Sequence, residues 1–210
     1  MVIREVGSVS EKEGLRERKQ RETRGRIAAK GLELFLTRGF DATTLDDIAE
    51  AAGISRRSFF SYFKSKDDLV IAWQLESWHR MLAELRTVSP DIAPLEAVRQ
   101  MMVRNTAQFE TAQMKAIDDM MRSSETLMAR KSAVYIMHEE TLFTTLCEIW
   151  RQPERQPALR MVAMVSIGVM RLAIESWRTQ KGKLSAARVL DDTFAHLLAE
   201  MQRAELRQVE

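Results

Sequence analysis

The chain is poor in everything that staples, kinks or catalyses. It has one cysteine, Cys147, so no internal disulfide is available, and a reducing cytoplasm is the expected setting. Only 4 prolines and 8 glycines occur in 210 residues, which argues against a loop-rich or turn-rich β architecture. The N-terminus is charged and lacks the apolar core of a signal peptide. The longest uncharged apolar stretch, Met161 to Met170, is ten residues, short for a bilayer span and suited to a buried helix. The three histidines, His79, His138 and His196, are far apart and form no metal-binding pair at helical spacing. No glycine-rich phosphate loop is present, and Cys147 lies in an apolar run that fits a small buried hydrophobe better than a nucleophile. Neither a cofactor nor a metal nor a catalytic residue is therefore expected.

What is present is helix-forming. Hydrophobic residues make up 45% of the chain, enough for a real core, and Ala, Leu, Met, Glu and Arg predominate. Net charge is only +2, but Lys and Arg outnumber Asp and Glu by 12 to 7 between Arg16 and Lys66, and fall short at 18 to 20 from Asp67 onward. A basic N-terminal part on a neutral-to-acidic body suggests a polyanion partner for the first part only. A solvated basic face would give the same surplus.

Residues 1–15 carry no periodicity and read as a flexible tail. From about Arg18 a helix is expected, with Ile27, Gly31, Leu34 and Phe35 on one face and Arg38-Gly39 as its stop. Thr44 and Asp47 have the spacing of a capping box and open a short helix with Leu45, Ile48, Ala49 and Ala52 on its apolar side. Ser55 caps the next helix, which is expected to run through Phe63. Ser65 and Asp68 offer a second capping box for a long helix from Lys66 to about Leu85. Short helices with three-residue joints are the sequence form of a helix-turn-helix. After Ser89–Pro94, helices are expected over about 94–109, 112–124 and 128–151, then, past Pro153 and Pro157, over 158–179 and 185–203. Gly31 is out of place inside a helix, where glycine costs roughly 0.5–1 kcal/mol; close packing against the second helix is the expected reason.

The stretch Arg24 to Leu69, with its Arg-Gly-Phe helix end, Thr-Thr start, Ala-Gly-Ile-Ser turn, aromatic-rich helix and Lys-Ser-Lys-Asp-Asp-Leu, resembles the TetR family of bacterial transcriptional regulators. Its recognition helix looks most like the branch that includes the mycofactocin-system regulators. The resemblance implies an all-α fold with an N-terminal three-helix helix-turn-helix domain (16–65) and a C-terminal helical ligand-binding and dimerisation domain (66–210). It implies a cytoplasmic homodimeric repressor that leaves its palindromic operator when an effector binds. An activator or an effector-independent regulator on the same fold is the alternative.

A recognition helix lays its N-terminal residues against base edges. Here these are Arg56 and Arg57, and arginine donates two hydrogen bonds to guanine. Ser55, Ser58 and Ser61 offer hydroxyls to phosphate or base. Tyr62 matches the family's phosphate-contacting aromatic. Phe60, where tyrosine is common, can pack on a thymine methyl or a sugar, and Phe59 and Phe63 belong to the core. Thr44 and Lys66 stand at helix N-termini, where free N–H groups suit phosphate. In the body, 12 of the 13 methionines follow residue 80. Met101, Met102, Met120, Met121, Trp150 and Trp177 are the candidate lining of an effector cavity for an apolar or amphipathic compound. The resemblance places the dimer contact on the last two helices, with Leu190, Phe194, Leu197, Leu198 and Met201 as the stripe on the second.

Overall fold

A computed structural model describes residues 15–181 and 183–206. The tail expected over 1–15 lies outside these residues except for Leu15, where the first helix begins. Among the described residues are nine α-helices and no strand: α1 Leu15–Arg38, α2 Leu45–Ala51, α3 Arg56–Phe60, α4 Lys66–Leu85, α5 Pro94–Thr106, α6 Thr111–Arg122, α7 Glu125–Ile149, α8 Gln156–Thr179 and α9 Ala186–Leu206. A single 3₁₀ turn, Pro153–Arg155, precedes α8. Gly182 of the joint before α9 is outside the described residues.

Local chemistry sets the N-terminal joints. Gly39 takes φ +89° at the end of α1, and its N–H returns to the Phe35 carbonyl at 3.0 Å; a side chain there would be strained. The Thr44 hydroxyl accepts from the Asp47 amide at 3.1 Å, and the Asp47 carboxylate accepts from the Thr44 amide at 2.8 Å, a complete capping box. Gly53, at φ +65°, makes the turn, and Ser55 caps α3 through the Ser58 amide at 3.1 Å.

Two expectations need correction here. Regular helix in α3 stops at Phe60 rather than Phe63. Ser61 and Tyr62 donate to carbonyls three residues back, so the last turn tightens. The second capping box forms only by half. Ser65 accepts from the Asp68 amide at 3.1 Å, but the Asp68 carboxylate is drawn to Arg130 of α7 at 3.1 Å.

Two apolar cores result. The first gathers Ile27, Phe35, Ile48, Phe59 and Phe63 of the helix-turn-helix part with Leu69 and Val70 of α4, Met120 of α6 and Leu127 of α7. The second fills the body around Leu82, Leu85, Met101, Leu142, Leu146 and Phe194; Leu190 and Phe194, expected on the dimer stripe of the last helix, are buried here at 4 and 0% exposure, while Met201 of that stripe is exposed. At about 1.5 Å per residue, the 20-residue α4 is about 30 Å long, and it contributes to both cores.

Gly31 faces α4, not α2. A Cβ on Gly31 would sit 2.7 and 2.9 Å from the two methyls of Leu69, a side chain with no exposed surface. Gly31→Ala is expected to destabilise the protein by about 1 kcal/mol, because overpacking costs roughly 1–3 kcal/mol and the gain in helix propensity recovers part of that. Urea midpoints of Gly31→Ala alone and with Leu69→Val check it: the second change should relieve the first, and simple additivity would sink the contact.

On α8, Leu159, Ala163, Ile167, Ala173 and Trp177 point inward. Met161, Met164, Val165 and Leu172 point outward, at 60, 50, 37 and 55% exposure, and nothing lies within 4 Å of a Cβ placed on Gly168. The stretch Pro153–Thr179 is also long and apolar enough to cross a membrane by length and composition, with 33% of its most apolar 18 residues buried. Ten uncharged residues therefore understate its apolar length.

Candidate nucleic-acid interface and adjoining cavity

Phe59 and Phe63, 0 and 2% exposed, anchor α3 to the core, which turns the other side of the helix outward. Arg56, Arg57, Phe60 and Ser61 are exposed there, and Phe60 stands edge-on to Phe59 with ring centres 5.8 Å apart. The two arginines differ. Arg56 is held by Asp46 of α2 at 2.7 Å. Arg57 has no hydrogen bond or ion pair among the described residues. Ser55 and Ser58 share a hydroxyl contact of 2.9 Å beside them. Thr44 is exposed, but its hydroxyl is engaged with Asp47 at 2.6 Å, and the Thr44 hydroxyl and amide hold that carboxyl below its ordinary range.

Lys66 is half-buried, donating to the carbonyls of Phe40 and Thr43 at 2.7 and 2.9 Å from above the Phe40 ring. Two of its three N–H bonds thus tie α4 to the joint before α2, leaving one for a phosphate. Tyr62 is half-buried, and its carbonyl accepts from Arg24 at 2.7 Å, with the Arg24 guanidinium over the Phe63 ring. No local pattern signals that Arg24 clasps the turn after α3, 38 positions on, or that Asp46 holds Arg56.

In the body, a cavity of about 530 Å³ lies among α4, α6, α7 and α8, with Trp78, Met81, Met121, Met170, Ile174 and Trp177 on its apolar wall. Its size falls in the roughly 300–1,000 Å³ range of small-molecule sites. Of the six residues expected to line it, Met121 and Trp177 do so. Met101 and Met102 are buried in the body core and Met120 in the N-terminal core. Successive residues on a helix point about 100° apart, so Met120 turns into the N-terminal core while Met121, packed against that core, also reaches the cavity. Trp150 is buried elsewhere, with its indole N–H on the Pro90 carbonyl at 2.8 Å.

His138 was not among the candidates, yet it stands on the cavity wall, stacked on Trp78 with ring centres 4.4 Å apart. Both of its ring nitrogens are buried without a hydrogen-bond partner among the described residues. Burial, with a smaller push from His79, lowers its pKa from 6.5 to about 4. The native state holds the neutral ring, and the unfolded chain takes up the extra proton between those values. Stability is thus full above about pH 6.5 and lost as pH falls toward 4, by up to about 3 kcal/mol. His138→Phe should flatten urea midpoints between pH 7.5 and 5; an unchanged pH slope would assign the acid sensitivity to other groups. Cys147 is half-buried, and burial pushes its thiol up, away from reactivity. No group of three potential metal ligands occurs among the described residues.

Comparison with known proteins bears on both regions. The profile of bacterial regulatory proteins of the tetR family matches residues 27–73. The transcriptional regulator TcmR of Streptomyces glaucescens is 38% identical over 85 residues, 40% of this chain and 38% of that protein. The chain thus spans under two fifths of the length of this first curated relative. The putative mycofactocin biosynthesis transcriptional regulator MftR of Mycobacterium tuberculosis is 30% identical over 175 residues, 76% of this chain and 82% of that one. Among solved structures, the FadR repressor of Thermus thermophilus, in complex with lauroyl-CoA, has a TM-score of 0.58 at 23% identity, over 83% of this chain and 93% of that chain.

Proposed function

The chain belongs to the TetR family of DNA-binding transcriptional regulators, and from that membership we propose that it is a cytoplasmic homodimeric repressor released from a palindromic operator by a small apolar or amphipathic effector. Residues 16–65 read DNA; residues 66–210 sense and dimerise. Arg56, Arg57, Phe60 and the serines of α3 face the groove, with Thr44, Tyr62 and Lys66 on the backbone. The dimer forms through α8 and α9, whose outward apolar side chains, Met161, Met164, Leu172 and Met201, support this reading. A second copy pressed on that face also accounts for the membrane-like composition of α8, and it sets two recognition helices about one DNA turn, roughly 34–36 Å, apart.

One observation carries the sensing part: Leu127 belongs both to the cavity lining and to the N-terminal core. The neighbouring pair Arg130–Asp68, at 3.1 Å, joins the same corner to the first turn of α4. A ligand that reshapes this corner changes the setting of α4 beneath the recognition helix, and release follows if the ligand prefers the setting that misplaces it. The lauroyl-CoA carried by the Thermus thermophilus repressor makes it the first compound to try. Fluorescence anisotropy on a duplex selected by the protein from a random library should show operator release as the cavity fills. A compound that saturates the cavity, read by indole fluorescence, while operator affinity stays the same would overturn effector release. A reporter gene tests the repressor sign.

A further inference from the structure

Around one end of the cavity, α6, α7 and α8 crowd cations about a single buried carboxylate. Asp118, its side chain 12% exposed, takes a two-oxygen clasp from Arg178 at 2.6–2.9 Å and a second approach from Arg122 at 3.9 Å. Lys131 and Arg171 lie over the Tyr135 ring at 5.9 and 5.2 Å. Glu175 is the other carboxylate near Arg178. Over the whole lining, Arg80, Arg122, Arg130, Lys131 and Arg178 stand against Glu84 and Asp118; Arg80 and Arg130 are paired with Glu76 and Asp68 behind the wall, so the positive excess rests on Arg122 and Lys131, where most of the wall is apolar.

We propose that the effector is an amphipathic anion, its carboxylate or phosphate-ester head seated on Arg122, Lys131 and Arg178 and its apolar chain lying along Trp78, Met81, Met121 and Trp177. The proposal rests on the cavity being the effector site. Arg178, its side chain 27% exposed, and the half-buried Lys131 are partly withdrawn from water and repel one another beside the exposed Arg122, and an anion between them relieves the repulsion and supplies charge-assisted hydrogen bonds. The ammonium of Lys131 feels this directly: burial first, then Arg178, Arg171 and Arg122, push its pKa below the ordinary lysine value, with Asp118 opposing. A neutral ligand leaves the cluster as it is, and a cationic one adds to it.

Four ten-carbon probes separate the possibilities: decanoate, decyl phosphate, decanol and decyltrimethylammonium, titrated into the full chain. Binding is read from the indoles of Trp73, Trp78 and Trp177 on the cavity wall, and operator release by anisotropy. The anions are expected to bind about tenfold tighter than decanol, the return on one charge-assisted hydrogen bond, and the cation weaker still. Lys131→Met, which keeps the stem and drops the charge, should erase most of that preference, and Lys131→Arg should restore it. The tighter of the two anions identifies the head as carboxylate or phosphate. Decanol binding as well as decanoate overturns the anionic head while leaving the cavity as effector site. Binding by none of the four removes the effector-site reading itself.

Discussion

Leu172→Glu, alone or with Met164→Glu, should yield a folded monomer of 24.2 kDa in light scattering and lower operator affinity about a hundredfold or more. Both residues are at least half exposed in the single chain, at 55 and 50%, so a carboxylate there meets water and should alter the subunit's stability by no more than about 0.5 kcal/mol. In the proposed dimer the same carboxylate lies unpaired between two apolar helices, and stripping it of water costs several kcal/mol. A monomer offers one recognition helix where a palindrome presents two half-sites, so the affinity gained by linking them is lost. A variant that keeps twice the chain mass and its operator affinity would place the dimer contact elsewhere.

Arg57→Ala should cost roughly 1–3 kcal/mol of operator affinity, about five- to 150-fold, and relax sequence preference at one base position. Its guanidinium has no partner among the described residues to lose, so the whole change appears in DNA binding and none in the melting temperature. Arg56→Ala is expected to act differently. It releases Asp46, which Arg56 holds at 2.7 Å, so the variant loses a donor and presents an uncompensated carboxylate to the phosphates. Asp46→Asn should then bind DNA more tightly than the wild-type chain. Salt titration separates roles: a phosphate contact lowers the log–log slope by about 0.9, while a base contact leaves it nearly unchanged and broadens the selected sequence. Unchanged affinity and specificity in both arginine variants would remove α3 from the groove.

The features legible in the sequence are those set within a few residues. Thr44 with Asp47, Ser55, Gly39 and Gly53 fix helix ends through bonds spanning three or four positions, and α4 runs from Lys66 to Leu85 as its cap and period require. The buried pair Phe59 and Phe63 follows from i, i+4 spacing alone. What stayed hidden depends on partners far away in the chain. Asp68 leaves its own cap for Arg130, 62 positions on. Gly31 answers to Leu69. His138 reaches the cavity because α7 packs on α4, where it meets Trp78. The methionines of the body look alike in sequence, and only the rotation of each helix separates Met121 on the cavity wall from Met120 in a packed core.

The first core draws Leu69, Val70, Met120 and Leu127 from beyond residue 65, and this limits what can be exchanged. A fragment cut after Phe63 would carry its aromatic anchors but expose the side they pack against, and a chimera joined at that point would mate them with a foreign corner. Loosening that corner should loosen the DNA-reading helices in the same cooperative step, so heating should give one unfolding transition rather than two. Variation among relatives at Met120 and Leu127 should accordingly be matched at Ile27, Phe35 and Leu69: the transplantable unit of this regulator is the reading head together with the helical corner that closes its core.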